Sequence, residues 1–338
     1  MAYTISQVYL SDRRGLAQID ALLEREGIRR DRNLDYIGAA YDENDRIVAT
    51  GSCFDNSLRC LAVSGDCQGE GLLNQLISHL MEVQYARGNL HLFLYTKVKT
   101  AGFFGDLGFY EIARVEGTLV FMENRREGFQ SYLKALSASR REGRSAALVM
   151  NANPFTYGHQ YLAETASSAC DTLHLFVVSE DASLFPFAVR KRLVQAGVAH
   201  LPNVALHDSG PYIISHATFP SYFLKDEAAV VEGQARLDLS VFVRIAQELN
   251  VTVRYVGEEP TSQVTGLYNK IMAAELPKAG VGCVVVPRRK AGDVPISAST
   301  VRACIKAGDK AALRALVPPS TLDYLNSAEA QPVLERIR

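Results

Sequence analysis

A short stretch near the middle of the chain constrains the fold more than any other feature. Residues 146–150 (AALVM) are apolar throughout, as in a buried strand, and the apolar residues of 160–169 have the spacing of a helix. Residues 153–159 (NPFTYGH) lie between the two segments. The sequence therefore predicts a turn from a parallel strand into a helix, where free backbone N–H groups bind phosphate.

The chain after residue 144 repeats the same order of strand and helix. Strands are predicted at 146–150, 173–178, 203–208, 251–256 and 282–287, and helices at 158–169, 187–199, 235–249, 263–275 and 299–306. This alternation predicts an α/β domain with a doubly wound, Rossmann-like parallel sheet. Its functional loops are expected at the carboxyl ends of the strands.

The first part of the chain has a different order, which is typical of an α+β domain. Strands are predicted at 3–10, 36–41, 46–54, 58–63, 91–96, 109–115 and 118–122, with helices at 15–26, at 72–83 and around 103–104. Residues 123–144 are rich in Arg and Ser and contain one short amphipathic helix. We predict an α+β domain at 1–125, a connector at 126–144 and the doubly wound domain at 145–338.

Composition narrows the class of protein. The 338 residues are 48% hydrophobic and 22% charged with a net charge of −1, so no global field favours nucleic acid or an anionic membrane. No apolar run approaches a membrane span, and the N-terminus lacks the pattern of a signal peptide. The six cysteines form no C-x-x-C pair and predict reduced thiols in a cytoplasmic protein.

The turn at 153–159 contains the first candidate site. Gly158 lacks a Cβ, so a phosphate can approach the backbone there. His159 at the helix start, together with the helix dipole, can stabilise charge that develops on a phosphate. We assign Thr156 and His159 to catalysis, and Asn153, Phe155, Gly158 and His159 to nucleotide binding. The alternative is a helix cap with an ordinary surface histidine.

Residues 296–302 (ISASTVR) form the second candidate site, because they follow a predicted strand and open another helix. Hydroxyl groups of Ser297, Ser299 and Thr300 can cap this helix and face an anion at its N-terminus. Arg302, about one turn further, can reach the same anion with a bidentate fork. The alternative is simply a well-capped helix. Two such starts at the first and last β-α turns of one sheet would hold a triphosphate between them.

The two motifs together resemble those of the nucleotidyltransferases related to class I aminoacyl-tRNA synthetases. The closer resemblance is to the citrate lyase ligase family, and it covers most of residues 146–306. It rests on residues 150–159 (MNANPFTYGH), 173–179 (LHLFVVS), 181–187 (DASLFPF), 209–215 (SGPYIIS) and 218–225 (TFPSYFLK). That family has an acetyltransferase-like domain ahead of the nucleotidyltransferase domain, which agrees with the order predicted here.

The resemblance implies an ATP-dependent, AMP-forming reaction. Acetate attacks the α-phosphate of ATP, and pyrophosphate leaves. The acetyl group of the acetyl-adenylate then passes to the thiol of a dephospho-CoA-derived group on the acyl carrier subunit of citrate lyase. Carried over by position, Thr156, Gly158 and His159 would hold the adenylate phosphate, and Ser299, Thr300 and Arg302 the β- and γ-phosphates.

Other residues are assigned by their position along the chain. Arg190 starts the helix after residues 185–187 and can reach the triphosphate. Lys225 is also assigned to catalysis, as a candidate partner for the acetate carboxylate or the leaving pyrophosphate. Gly257 ends a strand at the active edge and can touch the nucleotide. Mg²⁺ is expected with ATP and held mainly by phosphates, with no protein metal site assigned.

The N-terminal domain resembles the GNAT acetyltransferases at residues 68–73 (QGEGLL), a loop whose backbone N–H groups bind the pyrophosphate of CoA. Gly69 and Gly71 fit the pattern, whereas Leu73 replaces a small residue. We expect the loop to bind the CoA-like arm of the carrier. The alternatives are an adenylyltransferase of the pantetheine-phosphate type, a non-catalytic carrier-binding protein and, last, a GNAT amine acetyltransferase. An acid slightly larger than acetate also remains open.

Overall fold

The computed structural model describes residues 3–213, 219, 222, 227–259, 263–292 and 294–337. The chain divides into two compact units, Met1–Gln130 with Phe219–Gly233, and Ser131–Thr218 with Gln234–Arg338. The predicted domain boundaries at 125 and 145 stay a prediction. Sequence analysis does not anticipate that Phe219–Gly233 is counted with the first unit.

The first unit is built on one seven-stranded sheet with three helices. Its elements are, in chain order, β1 (Thr4–Gln7), α1 (Arg13–Arg25), β2 (Tyr36–Tyr41), β3 (Ile47–Phe54), β4 (Ser57–Val63), α2 (Leu72–Ala86), β5 (Phe93–Thr96), α3 (Ala101–Asp106), β6 (Tyr110–Val115) and β7 (Leu119–Glu123). The strand order is β1-β2-β3-β4-β5-β7-β6. All neighbours are antiparallel except β4 and β5, which are parallel. The predicted α+β class is confirmed.

Two apolar clusters cover the sheet of the first unit. Ile19, Leu22 and Leu23 of α1 pack in one cluster, and Leu72, Leu76 and Leu80 of α2 pack in the other. Each helix buries residues three or four positions apart, so each presents one apolar stripe to the sheet.

Tyr222 explains why its segment is counted with the first unit. The side chain is buried in the α1 cluster, and its hydroxyl donates to the carbonyl oxygen of Tyr95 at 3.2 Å. The backbone N–H of Arg29 donates to the carbonyl oxygen of Tyr222 at 2.8 Å.

The second unit repeats strand and helix from residue 145, after helix α4 (Gly128–Ser137). Its elements are β8 (Ser145–Met150), α5 (Tyr157–Ser168), β9 (Thr172–Val177), α6 (Phe187–Gly197), β10 (Val204–Asp208), α7 (Glu227–Leu249, which belongs to this unit from residue 234), β11 (Val251–Gly257), α8 (Gln263–Glu275), β12 (Gly282–Val286), β13 (Lys290–Ala291), β14 (Val294–Pro295), α9 (Ala298–Ala307), α10 (Lys310–Leu316), α11 (Pro319–Asn326) and α12 (Gln331–Ile337).

The main sheet of this unit is parallel and places the predicted turn at its centre. The strand order is β10-β9-β8-β11-β12, and every neighbouring pair is parallel. The chain reverses its direction of travel across the sheet between β8 and β11, and such a switch point opens a crevice at the carboxyl ends of the two strands. The doubly wound fold is therefore confirmed, and the turn after β8 lies at its crevice.

The end of the chain departs from the prediction. Helices α10, α11 and α12 contain seven or eight residues each, too few for a clear helical period, and none was predicted. Their apolar residues nevertheless join the core of the second unit, as Leu313, Tyr324 and Leu334 show. Helix α7 also begins at Glu227, before its predicted start at 235. Every helix in the described residues is too short or too polar to cross a bilayer.

A pair of buried histidines makes the second unit sensitive to acid. Nδ1 of His174 on β9 lies 3.0 Å from Nε2 of His207 on β10. Burial lowers the pKa of each imidazole to about 4, from 6.5 for an exposed histidine. The unfolded chain therefore takes up protons first as the pH falls. Stability is constant with respect to these groups above pH 6.5 and declines between pH 6.5 and 4.

We expect the double variant His174→Leu/His207→Leu to flatten this decline in the free energy of unfolding, by on the order of 5 kcal/mol for the two groups together. Urea unfolding at a series of pH values measures the effect. The control His200→Gln changes an exposed histidine, keeps both buried ones and is expected to retain the wild-type decline. An equally steep decline in the double variant would contradict the assignment of the acid sensitivity to His174 and His207.

Candidate active site

The turn after β8 fixes the orientation of His159. Thr156 caps α5, and its hydroxyl accepts from the backbone N–H of His159 at 3.3 Å. In return, Nδ1 of His159 accepts from the backbone N–H of Thr156 at 3.1 Å. Because Nδ1 is an acceptor, the proton of the neutral ring lies on Nε2. The cap therefore determines which ring nitrogen is a donor.

His159 is neutral at physiological pH. Burial, with a smaller contribution from the Arg288 guanidinium, lowers the pKa of its imidazole to about 4. A neutral ring with its proton on Nε2 donates a hydrogen bond without carrying a charge. It can therefore bind an anion as a dipole, in addition to the dipole of α5.

The second helix start is capped by its own serine. The hydroxyl of Ser297 accepts from the backbone N–H of Thr300 at 3.0 Å, and it lies 2.8 Å from the hydroxyls of both Ser299 and Thr300. The hydroxyl of Thr300 also donates to the carbonyl oxygen of Pro295 at 3.3 Å. Thr300 thus stabilises the turn before α9.

The two helix starts are in direct contact. Nη1 of Arg302 on α9 donates to the carbonyl oxygen of Asn153 at 2.5 Å. A Cβ at Gly158 on α5 would lie 2.7 Å from the carbonyl oxygen of Ile296, a separation that real Cβ atoms do not adopt. The absence of a side chain at Gly158 therefore allows α5 and the segment before α9 to approach this closely.

A cavity of about 600 Å³ opens at this contact, a volume that suits a nucleotide-sized ligand. The structure brings most of the predicted residues to its wall, namely Asn153, Thr156, Gly158, His159, Gly257, Ser297, Ser299 and Arg302. Lys225 lies outside the described residues. Phe155, Arg190 and Thr300 are not among the residues that line the cavity.

Phe155 and Arg190 support the cavity from behind. The Phe155 ring is fully buried, with its centroid 5.7 Å from that of His159. The Arg190 guanidinium is also fully buried and donates to the carbonyl oxygens of Asn151, Val178, Glu180 and Phe185. These bonds hold the loops after β8 and β9. The Arg190 side chain therefore contacts backbone carbonyls, whereas the sequence analysis expected it to reach toward the triphosphate. Nucleotide contact by Phe155, Arg190 and Thr300 stays a prediction.

Sequence analysis missed two arginines of the cavity wall, Arg288 and Arg289. Arg288 donates from Nε to the carbonyl oxygen of Glu258 at 2.7 Å and forms an ion pair with Glu259. The Arg289 guanidinium lies 5.6 Å from the ring centre of Tyr157. Both follow β12 in a basic run, Arg288-Arg289-Lys290, which was an available signal. With Arg302 they give this side of the cavity a positive field.

Three further residues of the cavity wall were also missed. Asp238 of α7, Arg254 of β11 and Tyr268 of α8 are far apart in sequence. The described residues contain no group of three or more His, Cys, Asp or Glu side chains placed to hold a metal ion.

The glycine loop of the first unit lines a separate cavity of about 580 Å³. Gly69 and Gly71 have φ values of 87° and 73°, and α2 begins after Gly71 without a side-chain cap. Lys97 and Lys99 line the same cavity, as does Leu73. Strands β4 and β5 pair only at Ser57↔Phe93 and Leu58↔Leu94. Beyond these two pairs the strands form no hydrogen-bonded ladder with each other.

Known proteins resemble this chain along nearly its whole length. The family described as citrate lyase ligase C-terminal domain matches residues 145–325. A citrate (pro-3S)-lyase ligase of Haemophilus influenzae is 38% identical over 93% of this chain and 96% of its own. Those of Klebsiella pneumoniae and Escherichia coli strain K12 are 42% and 37% identical, over 83% and 95% of this chain and 84% and 93% of their own.

Solved structures align with a smaller part of the chain. A GNAT-family acetyltransferase of Staphylococcus aureus aligns with 37% of this chain and 100% of its own, at 14% identity and a TM-score of 0.32. An acyl-CoA N-acyltransferase of Pseudomonas aeruginosa aligns with 37% of this chain and 99% of its own, at 14% identity and a TM-score of 0.31.

The close approach at Gly158 gives a test of the cavity. We expect Gly158→Ala to weaken the binding of a nucleoside triphosphate at least about tenfold, because the methyl group forces the two helix starts apart. Isothermal titration calorimetry measures the affinity. The control Gly266→Ala adds a Cβ whose nearest neighbour, the carbonyl oxygen of Glu259, is 3.7 Å away. Equal affinities of Gly158→Ala and the wild type would contradict the prediction.

Proposed function

Because this chain belongs to the citrate lyase ligase family, we propose that it is an ATP-dependent, AMP-forming ligase that activates citrate lyase. In the first step an oxygen of acetate bonds to the α-phosphorus of ATP, and the bond to the β-phosphate oxygen breaks. In the second step the thiol of the carrier's dephospho-CoA-derived group attacks the acetyl carbon, AMP leaves and the thiol proton is released. Family membership favours this reaction over the pantetheine-phosphate type of adenylyl transfer.

The observation that carries the proposal is the contact between two helix N-termini on one cavity. Both ends present backbone N–H groups and a positive dipole, which favour a polyphosphate. We assign Thr156, Gly158 and His159 to the α-phosphate, where the Nε2–H of His159 stabilises charge as pyrophosphate leaves. Ser297, Ser299, Thr300 and Arg302 are assigned to the β- and γ-phosphates.

The remaining assignments at the ATP site concern Gly257, Lys225 and Mg²⁺. Gly257 lies on the cavity wall and is assigned to nucleotide contact. Lys225 remains our candidate for the acetate carboxylate or pyrophosphate. Mg²⁺ accompanies ATP and is held mainly by phosphate oxygens.

The first unit is proposed to bind the arm of the carrier. The uncapped start of α2 at Gly69 and Gly71, with Lys97 and Lys99 on the same cavity, can bind the phosphates of the arm. Where β4 and β5 separate, backbone groups other than the Tyr95 carbonyl, which accepts from Tyr222, can pair with its amides. A cytoplasmic location agrees with the six cysteines, all of which are free thiols.

Exchange of labelled pyrophosphate into ATP, with and without acetate, tests the reaction. We expect the wild type to require acetate, and His159→Gln to reduce exchange at least about a hundredfold, because one donor to the developing charge is lost. His200→Gln, at an exposed position, serves as the control. Exchange that is independent of acetate, or unchanged in His159→Gln, would overturn the proposal.

Acetylation of the carrier, measured in parallel, separates the roles of the two units. The variant Lys97→Ala/Lys99→Ala is expected to retain exchange and to acetylate the carrier at least about tenfold more slowly, since two phosphate contacts are removed. Lys306→Ala/Lys310→Ala removes two exposed lysines elsewhere as a matched control. Unchanged acetylation would rule out arm binding at Lys97 and Lys99.

A further inference from the structure

A cluster of three polar side chains on the ATP-cavity wall, two of them buried and one half-buried, has no role in the reaction described so far. It contains Asp238 of α7, Arg254 of β11 and Tyr268 of α8, and all three line the cavity. The side chains of Arg254 and Asp238 are only 5% and 2% exposed. A charged pair so deeply buried requires a physical explanation.

Arg254 is poorly satisfied for a buried guanidinium. Its Nη1 and Nη2 both reach a single oxygen, Oδ2 of Asp238, at the long distances of 3.4 and 3.5 Å. Its Nε has no hydrogen-bond partner among the described residues. Arg190, equally buried, makes five hydrogen bonds of 2.5–3.0 Å to oxygens. The fold therefore satisfies one buried arginine and leaves the Nε donor of the other without a partner among the described residues.

The neighbours of Arg254 restrict how a ligand can approach it. The ring of Phe242 covers one face, with its centre 4.2 Å from the guanidinium carbon. Oδ2 of Asp238 also accepts the hydroxyl of Tyr268. Burial and the Asp238 charge raise the pKa of Tyr268 well above its ordinary value, so the hydroxyl stays a donor. The guanidinium is thus held in place while its Nε edge keeps a free donor.

Apolar side chains border the same part of the wall. Val256 lies two residues after Arg254 on β11, so both side chains are on one face of the strand. Met272 lies one helical turn after Tyr268 on α8, and it is 2% exposed. Both line the cavity. A buried cation beside a small apolar surface matches a short monocarboxylate, which has a charged end and an alkyl end.

We infer that Arg254 binds the carboxylate of the acid substrate, with the methyl group of the acid against Met272 and Val256, which leaves the pyrophosphate as the partner of Lys225. This deepens the proposed function and rests on it. The acid then lies against the wall formed by α7, β11 and α8, whereas Arg288, Arg289 and Arg302 form the phosphate wall. A carboxylate that must approach a triphosphate is repelled by it, and a hydrogen bond from the Nε–H of Arg254 offsets part of that repulsion. Asp238 and Tyr268 position the guanidinium.

The first test is the variant Arg254→Lys, which keeps the charge opposite Asp238 and removes the guanidinium fork. Acetate-dependent pyrophosphate exchange gives separate KM values for acetate and ATP. We expect the KM for acetate to rise at least about tenfold and the KM for ATP to change less than about twofold. An unchanged KM for acetate overturns the inference, and so does an equal rise in both values.

The second test does not alter the charged pair. Met272→Ala enlarges the surface for the alkyl group, so the ratio of exchange with propionate to exchange with acetate should rise about tenfold. Leu276→Ala removes a fully buried side chain that does not line the cavity, and it controls for destabilisation. An unchanged ratio in Met272→Ala overturns the inference. If Arg254→Lys does not fold, the ratio measured for Met272→Ala is the test of the acid site.

The wild type distinguishes this inference from the proposed function. Absence of acetate-dependent exchange in the wild-type protein overturns the reaction itself. Normal exchange in the wild type, with acetate KM and acid preference unaffected in the variants, overturns only the acid site.

Discussion

The contact between the starts of α5 and α9 is the constraint on which the rest of the site depends. Gly158 can approach the carbonyl oxygen of Ile296 only because it has no side chain, and Arg302 joins the two segments through the carbonyl oxygen of Asn153. The reciprocal cap of Thr156 and His159 then fixes the imidazole within this contact. Positive ends of two helix dipoles therefore face one cavity, which is costly without an anion and favourable with one.

Much of the fold followed from the sequence, because hydrophobic period and turn chemistry act locally. The run at 146–150 and the helical spacing after it predict a β-α turn, and repetition of that unit predicts the parallel sheet. The short helices α10–α12 escaped prediction because seven or eight residues carry little periodic signal. Their place depends on packing against the core, which only the folded chain provides.

The site was predictable only in part, for a related reason. Arg190 and Arg302 both lie near the start of a helix that follows a strand and a loop, so their sequence contexts predict the same role for both. In the structure, backbone carbonyls saturate Arg190, whereas Arg302 lies on the cavity wall. Asp238, Arg254 and Tyr268 come from three different elements, and tertiary packing alone brings them together. The feature that identifies this cluster is a buried charged pair with unsatisfied atoms, and the sequence alone does not reveal it.

The most direct measurement of the central claim compares ATP, ADP and AMP binding to the wild type and to Arg302→Met by calorimetry. Two helix starts that hold different parts of one polyphosphate chain predict a graded effect. Arg302→Met should lower the affinity for ATP at least about tenfold and change the affinity for AMP less than about twofold. The reason is that the single phosphate of AMP reaches only the His159 side of the cavity. Equal weakening of ATP and AMP, or no weakening of either, would contradict the account.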